Sequence, residues 1–315
     1  MDAVSQQEPL DRPGSVHTTP SRTDELAVTF TALRPRLTGI AYAMLGTTAE
    51  AEDVVSDCWL RLVAADEREP VRDVEAWCTV ATSRRALDVL RSARVQREAY
   101  VGPWLPEPVL TPAGGTLSSA PQDPADRVTL DETVSYALMV VLETLTPAER
   151  VVWVLHEVFG MPFPEVAAVV GRSPAAVRQL AVRARGHVTA GAPRVDVGAR
   201  DHSRTVAAFL AAAGEGDLAG LVRLLDPDVV LTSDGGGVVS AARCPVHGAD
   251  RVARFLLGIA TKVGDAAQVR PVSVNGGAGF AYVTPDGLYL VGALTVVDGA
   301  VQRVDLVVAP AKLPH

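Results

Sequence analysis

The chain has 315 residues, 48% of them hydrophobic and 21% charged, with a formal net charge of −8. This apolar supply excludes a wholly disordered chain, and the length suits two or three domains. No run approaches the ~20 apolar residues that cross a bilayer, and the polar opening lacks a leader's apolar stretch, so no membrane partner is expected.

Residues 1–24 are rich in Pro, Ser, Thr and Gln without periodicity and are expected to be disordered. From Leu26, apolar residues at Leu26, Phe30, Leu33, Leu37, Ile40 and Met44 recur every three or four positions and predict one helix face. Pro35 falls inside this pattern and should bend or split the helix. Gly46-Thr47-Thr48 closes the element, with Thr48 as the expected cap of a second helix. Val54, Val55, Cys58, Trp59 and Leu62 form that helix's apolar face, and Glu50, Asp53 and Asp57 make an acidic stripe on another. A polar stretch over 67–73 precedes a long predicted helix over 74–97. Six prolines in 101–125 remove donors and disfavour helix in their neighbours, which predicts an extended linker.

Helical periodicity resumes over 126–143. Thr146-Pro147 caps and opens a helix that Gly160 ends, a short helix covers 163–170, and Ser173-Pro174 starts another that runs to 188. Helices over 201–214, 217–225 and 250–262 then accompany β-rich runs at 229–232, 269–274, 279–283, 288–296 and 301–308. Asp286-Gly287 and Asp298-Gly299 read as hairpin turns, giving an α+β layout with a meander of antiparallel strands.

The positive charge is concentrated. Residues 76–97 and 172–199 each carry a net +4 within acidic surroundings, and phosphate binding needs a local positive face rather than a basic whole. Residues 165–188 have the parts of a helix-turn-helix: a short helix, the Gly171 turn, and a capped second helix opened by small Ala175 and Ala176. Arg172, Ser173, Arg178, Gln179, Arg183 and Arg185 are the candidate DNA contacts there, with Arg178 and Gln179 suited to base edges. No acid occurs between Arg172 and Arg194, which an ordinary helical hairpin would not require. The earlier basic helix carries Arg84, Arg85, Arg91, Arg94 and Arg97, with Asp88 as its lone acid. A solvated amphipathic helix would show the same pattern. Cys58, Cys78 and Cys244 form no CxxC, so no disulfide framework, metal site or cofactor is expected, and the thiols suit a reducing cytoplasm.

Three segments in order, AEDVVSDCWLRL (51–62), AWCTVATSRRALDVLRSARVQR (76–97) and LTPAERVVWVLHEVFGMPFPEVAAVVGRSPAAVRQLAVRARGHV (145–188), resemble regions 2 and 4 of bacterial extracytoplasmic-function (ECF) RNA polymerase sigma factors. Trp104-Leu105-Pro106-Glu107-Pro108 and Asp234-Gly235-Gly236-Gly237 resemble signatures of the subgroup with an extra C-terminal SnoaL-like domain of the NTF2 superfamily. Val238 stands where that subgroup's DGGGK motif has lysine. The resemblance implies a multidomain chain: region 2 over 25–100, linker 101–125, an all-α region 4 over 126–192, and an α+β cone over 200–315. It implies that Glu50, Asp53 and Asp57 dock on the coiled coil of the polymerase β′ subunit. It also implies that Arg84, Arg85, Arg91, Arg94 and Arg97 hold and help open the minus-ten element of promoter DNA. Arg85 stands where an aliphatic residue is usual. The helix over 173–187 would read the minus-thirty-five element.

Some SnoaL-like proteins are enzymes, and Asp234, His247 and Asp250 are the residues from which a general base would come. Asp234 before three glycines reads as a loop, His247 before Gly248 as a turn or surface residue, and Asp250 as a helix cap, so no catalytic residue is expected. The preferred reading is a regulatory domain that packs on region 2 and the linker, in the part played elsewhere by a separate anti-sigma protein. Trp104 needs a docking surface, because a Trp left in water forgoes burial of up to ~250 Å². Binding of a small ligand in the cone stays open. The alternative is a helix-turn-helix regulator fused to a ligand-sensing or catalytic SnoaL-like domain, which need not bind core polymerase.

Overall fold

The structure, a computed structural model, describes residues 21–98, 100–112, 134–191, 198–264 and 267–313, with the side chains of 93–98, 112 and 199 outside that description. Of the segment 1–24 expected to be disordered, residues 1–20 lie outside the described residues, as do the far half of the linker and the start of the helix over 126–143; Ser21 to Asp24 are instead the capped start of a helix.

Region 2 is a three-helix bundle. Helix α1 (Arg22–Leu45) opens on a reciprocal Ser21–Asp24 capping box and ends at left-handed Gly46. Pro35 lies inside α1 without splitting it. The helix packs along both α2 (Thr48–Asp66) and α3 (Val74–Glu98), and that burial offsets the backbone bond the proline removes. Asp73 starts α3 by accepting from the Ala76 amide at 2.9 Å.

Region 4 follows. Ser135 caps α4 (Tyr136–Leu142). Thr146 and Glu149 make the capping box of α5 (Pro147–Trp153), which continues as a π-helical turn over Val154–Val158. Helix α6 (Phe163–Val170) ends at left-handed Gly171, and α7 (Pro174–Gly191) begins where the Ser173 hydroxyl accepts from the Ala176 amide at 3.3 Å. Regions 2 and 4 are not separate bodies. One apolar core runs without interruption from Leu26 and Ile40 through Leu62 and Leu87 to Leu142, Leu155, Val166, Val177 and Val188.

The C-terminal domain has the expected α+β layout. Helices α8 (Ala199–Gly214), α9 (Leu218–Leu224) and α10 (Ala249–Val263) pack with strands β2 (Leu225–Asp234), β3 (Val246–His247), β4 (Gln268–Val274), β5 (Gly277–Thr284), β6 (Gly287–Val297) and β7 (Ala300–Val307). The expected antiparallel meander holds only for β4 to β7. Strand β2 pairs in parallel with β7, because α10 and the meander intervene and bring the chain back alongside it, so the sheet is mixed. Asp298 and Gly299 both have positive φ, the conformation of a tight hairpin turn.

The linker itself supplies a strand. Segment β1 (Leu110–Pro112) pairs antiparallel with β4, and the sheet order is β1-β4-β5-β6-β7-β2-β3. One apolar layer of the domain gathers Phe209, Val252, Phe280 and Val304 with its own helices. A second layer collects Val272, Val291 and Val307 with Leu105 of the linker and Tyr136 of region 4. Tertiary burial therefore joins all three domains. Among the described residues no helix is long and apolar enough to cross a membrane.

Candidate functional site

The three domains meet on the linker segment 100–109. Its centre is Asp234, which ends β2 fully buried rather than in an open loop. Four donors converge on its carboxylate. The Tyr100 hydroxyl (2.6 Å) and Gly236 amide (2.9 Å) reach one oxygen; the Leu105 amide (2.8 Å) and Lys312 ammonium (2.7 Å) reach the other. Burial, then the Asp234 hydrogen bond, holds the Tyr100 phenol well above its usual pKa, so it stays a donor. A buried carboxylate is tolerated only when paired and hydrogen-bonded, and here it is both.

Lys312 also donates to the Leu105 carbonyl at 2.6 Å and stands 3.9 Å above the centroid of the Trp104 ring. The side chain at the position of the subgroup's motif lysine, Val238, is 84% exposed. The cation at Asp234 comes instead from Lys312, at the far end of the chain, which the sequence reading did not select. Its one signal was rarity: Lys262 and Lys312 are the only lysines beside 27 arginines.

The rim of the Trp104 ring meets region 2. A Cβ built on Gly46 would lie 2.8 Å from the Trp104 ring, and Gly46 has φ +82°, so only glycine suits this position. Gly236 and Gly237 are likewise left-handed; a Cβ on Gly236 would approach Ala309 at 3.1 Å, and one on Gly235 would meet the Val239 carbonyl at 2.4 Å. Leu105, Pro106 and Pro108 are buried. The Pro106 carbonyl accepts from the Tyr136 hydroxyl of region 4 at 2.9 Å.

Glu107 corrects the expected capping of α2. Thr47, not Thr48, occupies the cap position and makes no side-chain cap bond. The Glu107 carboxylate accepts from the Thr48 amide at 2.9 Å and from its hydroxyl, so the linker caps the helix from outside. Burial raises the Glu107 pKa against the lowering effect of these bonds. Asn275, at the β4–β5 turn, ties the C-terminal domain directly to region 2. It donates to the Tyr42 hydroxyl at 2.9 Å and accepts from the Val109 amide at 3.0 Å, while Tyr42 donates to the Glu107 carbonyl at 2.7 Å. Arg150 of α5 is buried and ties region 4 to region 2, donating to the Ala43 carbonyl at 3.2 Å and pairing with Glu143.

The acidic stripe lies on α2 as the spacing requires. Asp53 is exposed, with no ion pair among the described residues. Glu50 accepts from the Thr47 hydroxyl at 2.6 Å. Asp57 pairs with Arg61 at 3.0 Å and with Arg85 at 3.4 Å. Leu60, missed in sequence because one apolar residue on a polar face carries no periodicity, is 67% exposed on the same helix.

The minus-ten candidates diverge. Arg85 is thus tied to α2, Arg91 pairs with Asp88 at 3.6 Å, and Arg84 donates to the Ala168 carbonyl of α6 at 2.8 Å. The side chains of Arg94 and Arg97 lie outside the described residues. On the second helix of the helix-turn-helix, Arg178, Gln179, Arg183 and Arg185 are all exposed, as are Arg172 and Ser173 before it. The structure leaves the catalytic candidates scattered: Asp234 faces the linker, His247 is exposed on β3, and Asp250 pairs with Arg254 while Gly248 holds the cap position of α10. One apolar cleft of the C-terminal domain is lined by Phe209, Leu256, Phe280 and Leu306, with Tyr282 as the titratable side chain in its lining.

Comparison with known proteins agrees with this anatomy. Sigma-70 region 2 matches residues 29–95 and Sigma-70 region 4 matches 135–188. The ECF RNA polymerase sigma factor SigJ of Mycobacterium tuberculosis is 46% identical over 237 residues, 75% of this chain and 73% of its own. The probable ECF sigma factor SigI of the same species is 36% identical over 296 residues, 93% of this chain and 96% of its own. The crystal structure of M. tuberculosis SigJ aligns with TM-score 0.72 at 38% identity, covering 91% of this chain and 97% of that one. A plain helix-turn-helix regulator would have no use for region 2. With both sigma regions matched and the three-domain architecture shared, the chain belongs to the ECF RNA polymerase sigma factors, which bind the core enzyme and direct promoter-specific initiation of transcription.

Proposed function

We propose that this compact form is a restrained state of the sigma factor, in which the C-terminal domain acts through the linker to hold regions 2 and 4 together. The uninterrupted apolar core across the two regions carries this reading. The two promoter elements, about 25 base pairs apart by name, are separated by roughly 85 Å of straight duplex at 3.4 Å per step. Helices sharing one core cannot span that distance. The hydrogen bond from Arg84 to Ala168 also places a minus-ten candidate against the helix-turn-helix. Engaging both elements then requires region 4 to leave region 2. The Trp104 ring, with its rim against Gly46 and Lys312 over it, is the contact that such a movement must withdraw. Trp104→Ala is expected to enlarge the particle in small-angle scattering and to raise run-off transcription with core polymerase; unchanged size and output would refute the restraint.

In the same reading, Asp53 and its neighbours dock α2 on the polymerase, α3 holds the minus-ten strand, and Arg178 and Gln179 read minus-thirty-five bases. Arg178→Ala or Gln179→Ala should each cost about 1–3 kcal/mol of base discrimination if the contact is bidentate. Arg183→Ala should instead weaken promoter binding evenly and flatten its salt slope by about 0.9. Transcription from promoters substituted at each minus-thirty-five position checks this, and an unchanged preference in the first two variants rejects the assignment.

A further inference from the structure

The exposed arginines of α7 are held in two different ways. Arg183 lies 3.5 Å from Glu149 and Arg185 lies 2.6 Å from Glu157, so each is partnered by an acid of α5 or its π-helical turn. Arg178 has no ion pair among the described residues; its guanidinium carbon stands 5.7 Å from the centroid of the Phe163 ring. Phe163 opens α6 and is itself fixed in place. The His156 ring stacks on it, 3.9 Å between centroids and 29° between planes, and His156 Nδ1 lies 2.9 Å from the Met161 carbonyl oxygen. His156 belongs to the π-helical turn, a widened turn that re-aims side chains relative to an α-helix and recurs at functional sites.

A guanidinium laid on an aromatic face keeps its edge N–H donors free for another partner, whereas one held in a carboxylate fork commits two of them. We infer that Phe163, backed by His156, is a positioning residue that presents Arg178 to the minus-thirty-five element and so sets part of the promoter preference. The inference rests on the reading of Arg178 as a base contact. The ring restricts the arginine before DNA arrives. Removing the ring keeps the charge and loses the order, so base discrimination falls while the electrostatic part of binding stays.

The test uses the full chain with core polymerase and run-off transcription from promoters substituted at each minus-thirty-five position. Phe163→Leu is expected to reduce discrimination at the Arg178-dependent position about two- to fivefold, the range of an exposed cation–π contact. The salt slope should not change, because no charge is lost. Phe163→Tyr should restore discrimination, and Phe163→Leu should add nothing in an Arg178→Ala background. Equal discrimination in Phe163→Leu and wild type, or an equal further loss in the Arg178→Ala background, overturns the positioning role. If Arg178→Ala alone leaves the preference unchanged, the base-contact reading falls and the positioning role with it. A silent Phe163→Leu beside an effective Arg178→Ala sinks the positioning role only. Should Phe163→Leu fail to fold, Phe163→Met, which keeps bulk without a π face, carries the same comparison.

Discussion

Lys312→Met is expected to open the molecule. The ammonium is nearly buried, and it neutralises a fully buried carboxylate while holding the Leu105 carbonyl and the Trp104 face. Removing one partner of a buried ion pair costs about 3–5 kcal/mol, because the other charge is left uncompensated. The chain can escape that cost by releasing the linker and letting water reach Asp234. The docked linker holds α2 through Glu107, α1 through Trp104 and Tyr42, and α4 through Pro106, so its release frees three elements together. Scattering should then show the radius of gyration rising by a few ångströms from the ~20 Å of a compact chain this long. Transcription with saturating core enzyme should rise several-fold. Adding Asp234→Asn to Lys312→Met should give a milder phenotype than Lys312→Met alone, since no bare buried charge remains. A compact Lys312→Met protein with wild-type output would show that the Asp234 cluster is structural and does not govern activity.

Asp53→Arg is expected to abolish docking on core polymerase. Of the three acids of the stripe, it is the one whose reversal disturbs neither an ion pair nor a side-chain hydrogen bond among the described residues; reversing Glu50 would lose the Thr47 hydroxyl, and reversing Asp57 would release Arg61 and Arg85. Placing like charges across an interface costs several kcal/mol, and each 1.4 kcal/mol is tenfold, so affinity should fall by about two orders of magnitude or more. Thermal stability should hardly move, because exposed substitutions away from such features stay within about 0.5 kcal/mol. Titration of labelled protein with core enzyme at two salt concentrations measures both the loss and its screening. Affinity within threefold of wild type at moderate salt would remove the acidic stripe from the docking surface.

Local signals carried much of the architecture. Thr146-Pro147 with Glu149, Ser173-Pro174 and the Gly171 turn are helix-boundary devices that act within four residues, and each appears where the spacing places it. The apolar periods of α1, α2 and α3 and the Asp298-Gly299 turn were legible for the same reason. Contacts made across long stretches of chain were not. The strand β1, the external cap that Glu107 gives α2, the turn residue Asn275 bridging to Tyr42, and the cation at Asp234 all join residues tens to hundreds of positions apart. Pro35 shows the same limit in the other direction: packing on two helices overrode a local breaker.

The sequence by itself determined the helices, the strands β2 and β4 to β7, the two basic segments, the acidic stripe and the family resemblance, because propensity, capping and charge spacing are properties of neighbouring residues. Only the tertiary structure decided that the two sigma regions share one core and that a lysine near the chain's end holds the linker to the C-terminal domain. That decision depends on desolvation: a buried carboxylate must gather every donor within reach, and which donors those are is settled by the fold alone.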